Sequence, residues 1–276
     1  MSVVTRAAVD IEKPPPRARG WPRARIVGYA LVGFWILFGI GIAVYLVYAW
    51  NGEFFARYAP AYLQGLGTTL ALVAISMVLG ALFSLPVTYA RMSKNRYLSV
   101  LAYCYVYFFR GTPLLVQVYL VYYGLGSFRV QLESFGLWWF FRDAFNCGVF
   151  AFALNTAAYQ AEILRGAIES VPRGQWEGAA SLGLHKLQTL RKVILPQAFI
   201  VALRPYGNEL VLMIKASAIV AIITVYDLMG NAKLAYAKSF DFQAYVWVAI
   251  VYLVMVEILR HGVEWIERRI TIHLIR

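Results

Sequence analysis

A chain of 276 residues that is 61% hydrophobic and only 14% charged is too apolar for a soluble domain, where roughly half apolar is usual. Its net charge of +12 lies in no basic stripe interleaved with a soluble fold. That argues against nucleic-acid binding and for the Lys/Arg bias of a polytopic membrane protein. Cys104 and Cys147 stand in apolar contexts without redox or metal spacing, and are read as packing residues rather than a disulfide.

Residues 1–25 carry Pro14 to Pro16 and scattered arginines with little apolar content, which predicts a disordered basic tail near an anionic inner leaflet. From Ile26 to Trp50 no side chain is charged. As a helix this run exceeds the roughly 30 Å hydrocarbon core. It is too long for a signal-peptide core and no small-x-small site follows it, so it is expected to remain as an N-terminal transmembrane helix over 26–50.

Further apolar runs at about 66–89, 98–124, 145–168, 198–225 and 245–259 bring the expectation to about six membrane helices in an all-α protein. Pro86, Pro113 and Pro205 fall inside or at the ends of these runs, where kinks are expected. A membrane core is assigned to 64–262 and a basic tail to 263–276. With the N-terminus in the cytoplasm, eighteen of the 26 Lys and Arg lie inside and five outside, which places both termini inside. The outer stretch between Gly124 and Asn146 holds Phe135, Trp138, Trp139, Phe140 and Phe141. It reads as an interfacial half-helix among membrane lipids or as a receiving surface for an extracytoplasmic partner.

Charged and polar groups inside a membrane are costly, at roughly 3 kcal/mol each, so those within the spans are candidates for a substrate pathway. Arg110, Pro113 and Gln117 share a helical face by their spacing, and Tyr103 and Tyr107 extend the stripe. Asn155, Tyr159 and Glu162 share another face, with Arg165 and Glu169 able to pair around Glu162. In the fifth long run Asn208 and Lys215 project together, and Glu209 is turned about 100° away near mid-membrane. Glu209 could attract a cationic or zwitterionic ligand while Arg110 or Lys215 neutralises the ligand's carboxylate. Alternatively Glu209 pairs with Arg110 or Arg204, and the residues alone leave both open.

The polar segment 170–197 lies between two long apolar runs. It reads as a short helix from Pro172, a turn at Gly183 and a second helix ending before Pro196, with Ala179, Ala180 and Leu184 offering a small apolar surface edged by Glu177. Its sequence from Glu177, EGAASLGLHKLQTLRKVILP, resembles the cytoplasmic signature of permease subunits of ATP-binding-cassette importers. The matching positions are Glu177, Gly178, Ala179, Gly183, Leu195 and Pro196, with Gly178 standing where that signature usually has alanine. FRGTPLLVQ from Phe109, LNTAAYQAEILRGAIESVPRGQWEGAASLG from Leu154 and NELVLMIKASA from Asn208 resemble the polar amino acid permeases, the branch taking up histidine, arginine, lysine, glutamine and opines.

The resemblance covers roughly Gln64 to the C-terminus. It implies a type I importer permease core in a bacterial inner membrane and a coupling loop at 170–197. It also implies an ATP-binding-cassette ATPase dimer, a second permease that is a paralogue or an identical chain, and an extracytoplasmic solute-binding protein. The helix at 26–50 is additional to the five-helix core of that branch. No GxxxxGKS/T motif occurs, so ATP is expected on the partner, with no cofactor, metal or catalytic residue on this chain. His185, His261 and His273 lack metal spacing, and no nucleophile has a matching base. Two other readings stand beside the importer: an ion-coupled secondary transporter or channel working alone, and a polytopic membrane enzyme.

Overall fold

The computed structural model describes residues 23–48 and 50–271. The basic tail assigned to 1–25 lies outside the described residues except for Arg23 to Arg25, which begin a helix. That helix, α1 (Arg23–Tyr48), belongs to a unit of its own ending at Asn51, and none of its residues is buried. Within it Phe34 and Phe38 stack at 6.4 Å, four residues apart on one face.

The second unit begins with α2 (Gly52–Arg91), followed by α3 (Arg96–Gly111) and by α4 (Leu114–Tyr119), which runs into a π-turn at Leu120–Gly124. Two short helices, α5 (Arg129–Ser134) and α6 (Trp138–Phe141), precede α7 (Ala144–Glu169). Next come α8 (Arg173–Ser181), α9 (Lys186–Thr189), a π-turn at Leu190–Ile194 and α10 (Leu195–Ser217), which continues as a 3₁₀ turn over Ala218–Ile223. The described chain closes with α11 (Leu228–Ser239) and α12 (Gln243–Thr271).

Four stretches, α1, α2, α9 through the 3₁₀ turn, and α12, are each long and apolar enough to cross a membrane. α3 and α4 with its π-turn reach the same apolarity only as a pair, bent by 106° at the break between them. α7 is also 26 residues long but less apolar, because protein rather than lipid surrounds it: fifteen of its 26 residues are buried. This is an all-α integral membrane protein.

Lipid tails are as apolar as leucine, so helices here associate through close packing, and small residues permit it. α7 presents Gly148, Ala151, Ala157, Ala158 and Ala161 as buried positions, and α2 crosses it at Gly80. A Cβ at Gly80 would collide with the Thr156 methyl. Leu72, Val118, Phe152, Met213 and Val220 fill the centre where α2, α4, α7 and α10 meet. At one end of the bundle Phe54 and Tyr62 pack with Leu228, Ala232 and Val248, which joins α11 to α2 and α12. Leu164, Ile168, Ile194 and Ala198 seal the opposite end, where the chain leaves α7 for α8.

Three features depart from the sequence pattern. The predicted second helix of the polar segment does not stop at Pro196, because the π-turn before it shifts the hydrogen-bond register and Pro196 falls in the first turn of α10, where an N–H is dispensable. α12 runs through the segment assigned as a tail and stays helical to Thr271. Nothing in the apolar pattern marked α11, a short helix started by Asp227, whose Oδ1 accepts the Gly230 N–H at 2.8 Å. Burial pushes the Asp227 carboxyl above the usual range, and hydrogen bonds from Gly230, Met229 and Tyr252 pull it back down.

Candidate translocation site and coupling surface

α7 positions the polar groups at the bundle centre. Thr156 and Gln160, one turn apart, share the face turned toward α2 and α10, whereas Tyr159 meets Arg110 of α3. Gln160 Nε2 donates to Thr156 Oγ1 at 3.1 Å, and Thr156 Oγ1 donates to Glu209 Oε1 at 2.9 Å. Glu209 is 6% exposed. The Gln160 amide also donates to the Met77 carbonyl at 3.1 Å, and its Oε1 has no hydrogen-bond partner among the described residues. Arg110 lies one step away, its guanidinium carbon 5.1 Å from the Tyr159 ring centre. Among the described residues it forms no ion pair within 4.0 Å.

The predicted stripe of Arg110, Pro113 and Gln117 is not one helical face. The chain breaks after Gly111 and bends by 106°, because Pro113 has no N–H to continue the ladder and holds Thr112 extended (φ −111°, ψ 148°). Gln117 turns back across the break, donating to the Phe109 carbonyl at 2.9 Å and to the Thr112 carbonyl and hydroxyl at 3.1 and 2.8 Å. Asn155 joins it from α7, donating to Phe109 O at 3.0 Å and to Gln117 Oε1 at 2.9 Å. Both are buried, and together they brace the bend.

The remaining polar residues lie in separate places. Arg110, Tyr103 and Tyr107 line a cleft of about 280 Å³ with Arg91 and Glu162. Glu162 is held by Arg91 at 2.9 Å and Arg165 at 2.7 Å, and Arg165 also reaches Glu169 at 2.6 Å. Arg91, from the end of α2, is the partner that no local spacing could reveal. Asn208 faces another cleft, between α10 and α12, and Lys215 a third, of about 360 Å³, beside Tyr245 and Tyr252. Arg204 pairs with Glu267 at 3.0 Å and not with Glu209. Thr156 and Gln160 were missed, although their i, i+4 spacing on an otherwise small and apolar face was a signal in plain view.

The polar segment forms an exposed helix–turn–helix. Gly183 takes the left-handed conformation (φ 73°) that ends α8, with Leu184 N–H donating to the Ala179 carbonyl at 3.1 Å. His185 then opens α9 by a reciprocal pair of 3.4 Å bonds with Gln188. Ala179 is buried, which corrects its assignment to the outward surface: that face consists of Trp176, Glu177, Gly178, Ala180, Leu182 and Leu187. Leu195 is half-buried and Pro196 exposed. Gln197 ties the segment to α8 by a 3.3 Å bond to Gln175.

A helical bundle with a polar centre, and at one end an exposed surface held on paired short helices, defines a membrane transport component. Residues 76–272 match the family described as binding-protein-dependent transport system inner membrane component, and the chain belongs to that family. It is 47% identical over 174 residues to the nopaline transport system permease protein NocM of Agrobacterium fabrum, covering 63% of this chain and 72% of that one. To the arginine ABC transporter permease protein ArtM of Haemophilus influenzae it is 36% identical over 187 residues, covering 68% and 82%. A crystal structure of an amino acid ABC transporter with histidines matches at 36% identity and a TM-score of 0.70, over 79% of this chain and 98% of that one. The methionine transporter MetNI, at 20% identity and a TM-score of 0.64, shares the fold.

Proposed function

We propose that this chain is the permease subunit of an ATP-driven importer for polar, cationic amino acids or opines, and that the outward face of α8 and α9 receives the ATPase. The observation that carries the reading is the exposed Trp176–Leu187 surface on a loop whose sequence matches the family's coupling signature. A generic membrane-surface loop would have no reason to hold Glu177 and Leu182 outward on a capped, tied-down pair of helices. The relatives are permeases of transport systems, which gives no support to an ion-coupled transporter acting alone.

On this reading α8 and both termini are cytoplasmic, and a solute-binding protein delivers substrate at the α11 end. A second permease, identical or paralogous, completes the pathway. Glu209 is a carboxylate partnered by one hydroxyl and Arg110 a guanidinium resting on a ring, so each retains capacity for an opposite charge. Together they suit a ligand carrying both a cation and a carboxylate. Tyr159 supports Arg110, whereas Gln117 and Asn155 hold the bend that places it. Asn208 and Lys215 flank the path in clefts of their own.

The test is uptake by the reconstituted complex with two variants. Glu209→Gln is expected to lower uptake of a basic amino acid roughly ten- to a hundred-fold, since a hydrogen bond to a charged group contributes about 1.5–3 kcal/mol, while assembly and ATPase activity persist. Glu177→Arg is expected to lose the co-purifying ATPase. Full uptake by the first variant would remove Glu209 from the pathway, and an intact complex in the second would remove α8 from the docking surface.

A further inference from the structure

A cleft of about 430 Å³ separates the final turns of α12 from the middle of α10 and plays no part in the central site. Gly207 lets the two helices close beneath it, since a Cβ there would strike Val263. Arg204, Arg260 and Arg268 face the opening, with Asn208 as a further donor and Glu264 and Glu267 as the only acids lining it among the described residues. Both acids have cationic partners: Glu267 meets Arg204 at 3.0 Å, and Glu264 meets Arg268 loosely at 4.0 Å. Arg260 is paired at 2.6 Å with Glu257, which lies outside the lining. Each guanidinium has five N–H donors, so single ion pairs leave most of them free for a further oxyanion.

An independent feature gives the depth of this cleft. On the same turns of α12, Trp265 is 59% exposed and Arg269 sits 5.1 Å from its ring centre, flanked by exposed Ile266 and Ile270. An exposed indole capped by an arginine, with apolar neighbours, belongs at the level of lipid headgroups. A basic pocket between membrane helices at that level is the setting in which anionic headgroups bind. We propose that the α10–α12 cleft holds the phosphate headgroup of an anionic phospholipid from the leaflet on the α8 side. By the topology proposed above, on which the leaflet assignment rests, this is the cytoplasmic leaflet. Because α10 leads directly from the coupling segment, such a lipid would hold that helix against α12.

The test is titration of the purified, delipidated complex with cardiolipin or phosphatidylglycerol, counting bound lipid by native mass spectrometry. Arg204→Gln/Arg260→Gln/Arg268→Gln is compared with a control losing three charges elsewhere, Lys94→Gln/Arg96→Gln/Arg142→Gln. At about 1 kcal/mol for each basic residue near the headgroups, affinity should fall about five-fold per arginine and on the order of a hundred-fold in the triple variant, with the control unchanged. Should the triple variant not assemble, Arg268→Gln, whose only ion pair among the described residues is the loose one, should give the five-fold loss by itself. Unchanged binding in the cleft variants, or equal binding of phosphatidylcholine, would overturn the proposal. Displacement of the lipid by millimolar inorganic phosphate would overturn it too, by assigning the cleft to a soluble phosphate. The count is made in detergent and needs no ATPase coupling, so its failure is distinct from failure of the importer reading or of its sidedness.

Discussion

Gly80 shows how one hydrogen atom in place of a side chain sets the distance between two helices. An exposed glycine inside a helix costs about 1 kcal/mol relative to alanine, so Gly→Ala should stabilise a helix wherever there is room. Gly67, on the same helix, has nothing within 4 Å of a built Cβ, whereas at Gly80 that atom meets the Thr156 methyl and comes within 3.0 Å of the Gln160 amide. Overpacking a tight contact costs typically 1–3 kcal/mol and outweighs the propensity gain. Gly67→Ala is therefore expected to hold or raise the thermal midpoint in detergent, and Gly80→Ala to lower it. Equal midpoints for the two variants would mean that α2 and α7 do not pack at this distance. The collision falls on Thr156 and Gln160, so the residue that sets the packing also sets the hydroxyl and amide beside Glu209.

At the scale of elements, the broken span formed by α3 and α4 shows what a membrane demands of irregular backbone. Carbonyls freed by Pro113 cannot turn to water, and an unsatisfied buried group costs about 1–3 kcal/mol. Gln117 satisfies Phe109 and Thr112, and Asn155 doubles the contact to Phe109. Gln117→Leu keeps the volume and removes the bonds that Gln117 itself makes, leaving Asn155 on the Phe109 carbonyl, so an unfolding titration should lose about 2 kcal/mol of stability. Thr112→Ala removes one acceptor of the Gln117 amide and should lose about 0.6 kcal/mol, the mean for interhelical bonds in membranes. A Gln117→Leu protein as stable as the parent would show that Gln117 does not hold the bend. The same bend explains where the sequence was readable and where it was not. Apolar runs marked the long helices because lipid contact demands them, and Gly183 marked the turn of the polar segment because turn chemistry is local. The stripe through Arg110 and Gln117 failed because helical spacing assumes an unbroken helix. Arg91 with Glu162, and Gln160 with Thr156 and Glu209, depend on contacts between helices far apart in sequence, which periodicity does not encode. The burial of Ala179 is of the same kind, since which side of α8 faces inward depends on packing against the rest of the chain.

Across the whole molecule, the distribution of Lys and Arg makes a prediction that geometry alone does not contain. Eighteen of 26 basic residues fall in segments on one side under a single choice of orientation, and translocating short basic loops is disfavoured. The α8 surface and the end of α12 then face the cytoplasm, while α5 and α6, with exposed Phe135 and Trp139, face outward. In a Cys104→Ser background, which removes the exposed thiol and leaves Cys147 buried, Ser134→Cys on α5 should react with a membrane-impermeant maleimide on intact cells stripped of their outer layer. Ser181→Cys at the end of α8 should react only after the membrane is opened. Both positions are exposed, so a difference between them reports sidedness and not accessibility within the fold. Labelling of Ser181→Cys from outside would invert the chain and put the proposed coupling surface out of reach of any cytoplasmic ATPase. The expected pattern puts α8 on the ATPase side and α11 on the side of the solute-binding protein, with Glu209 between them, and alternating access requires that order.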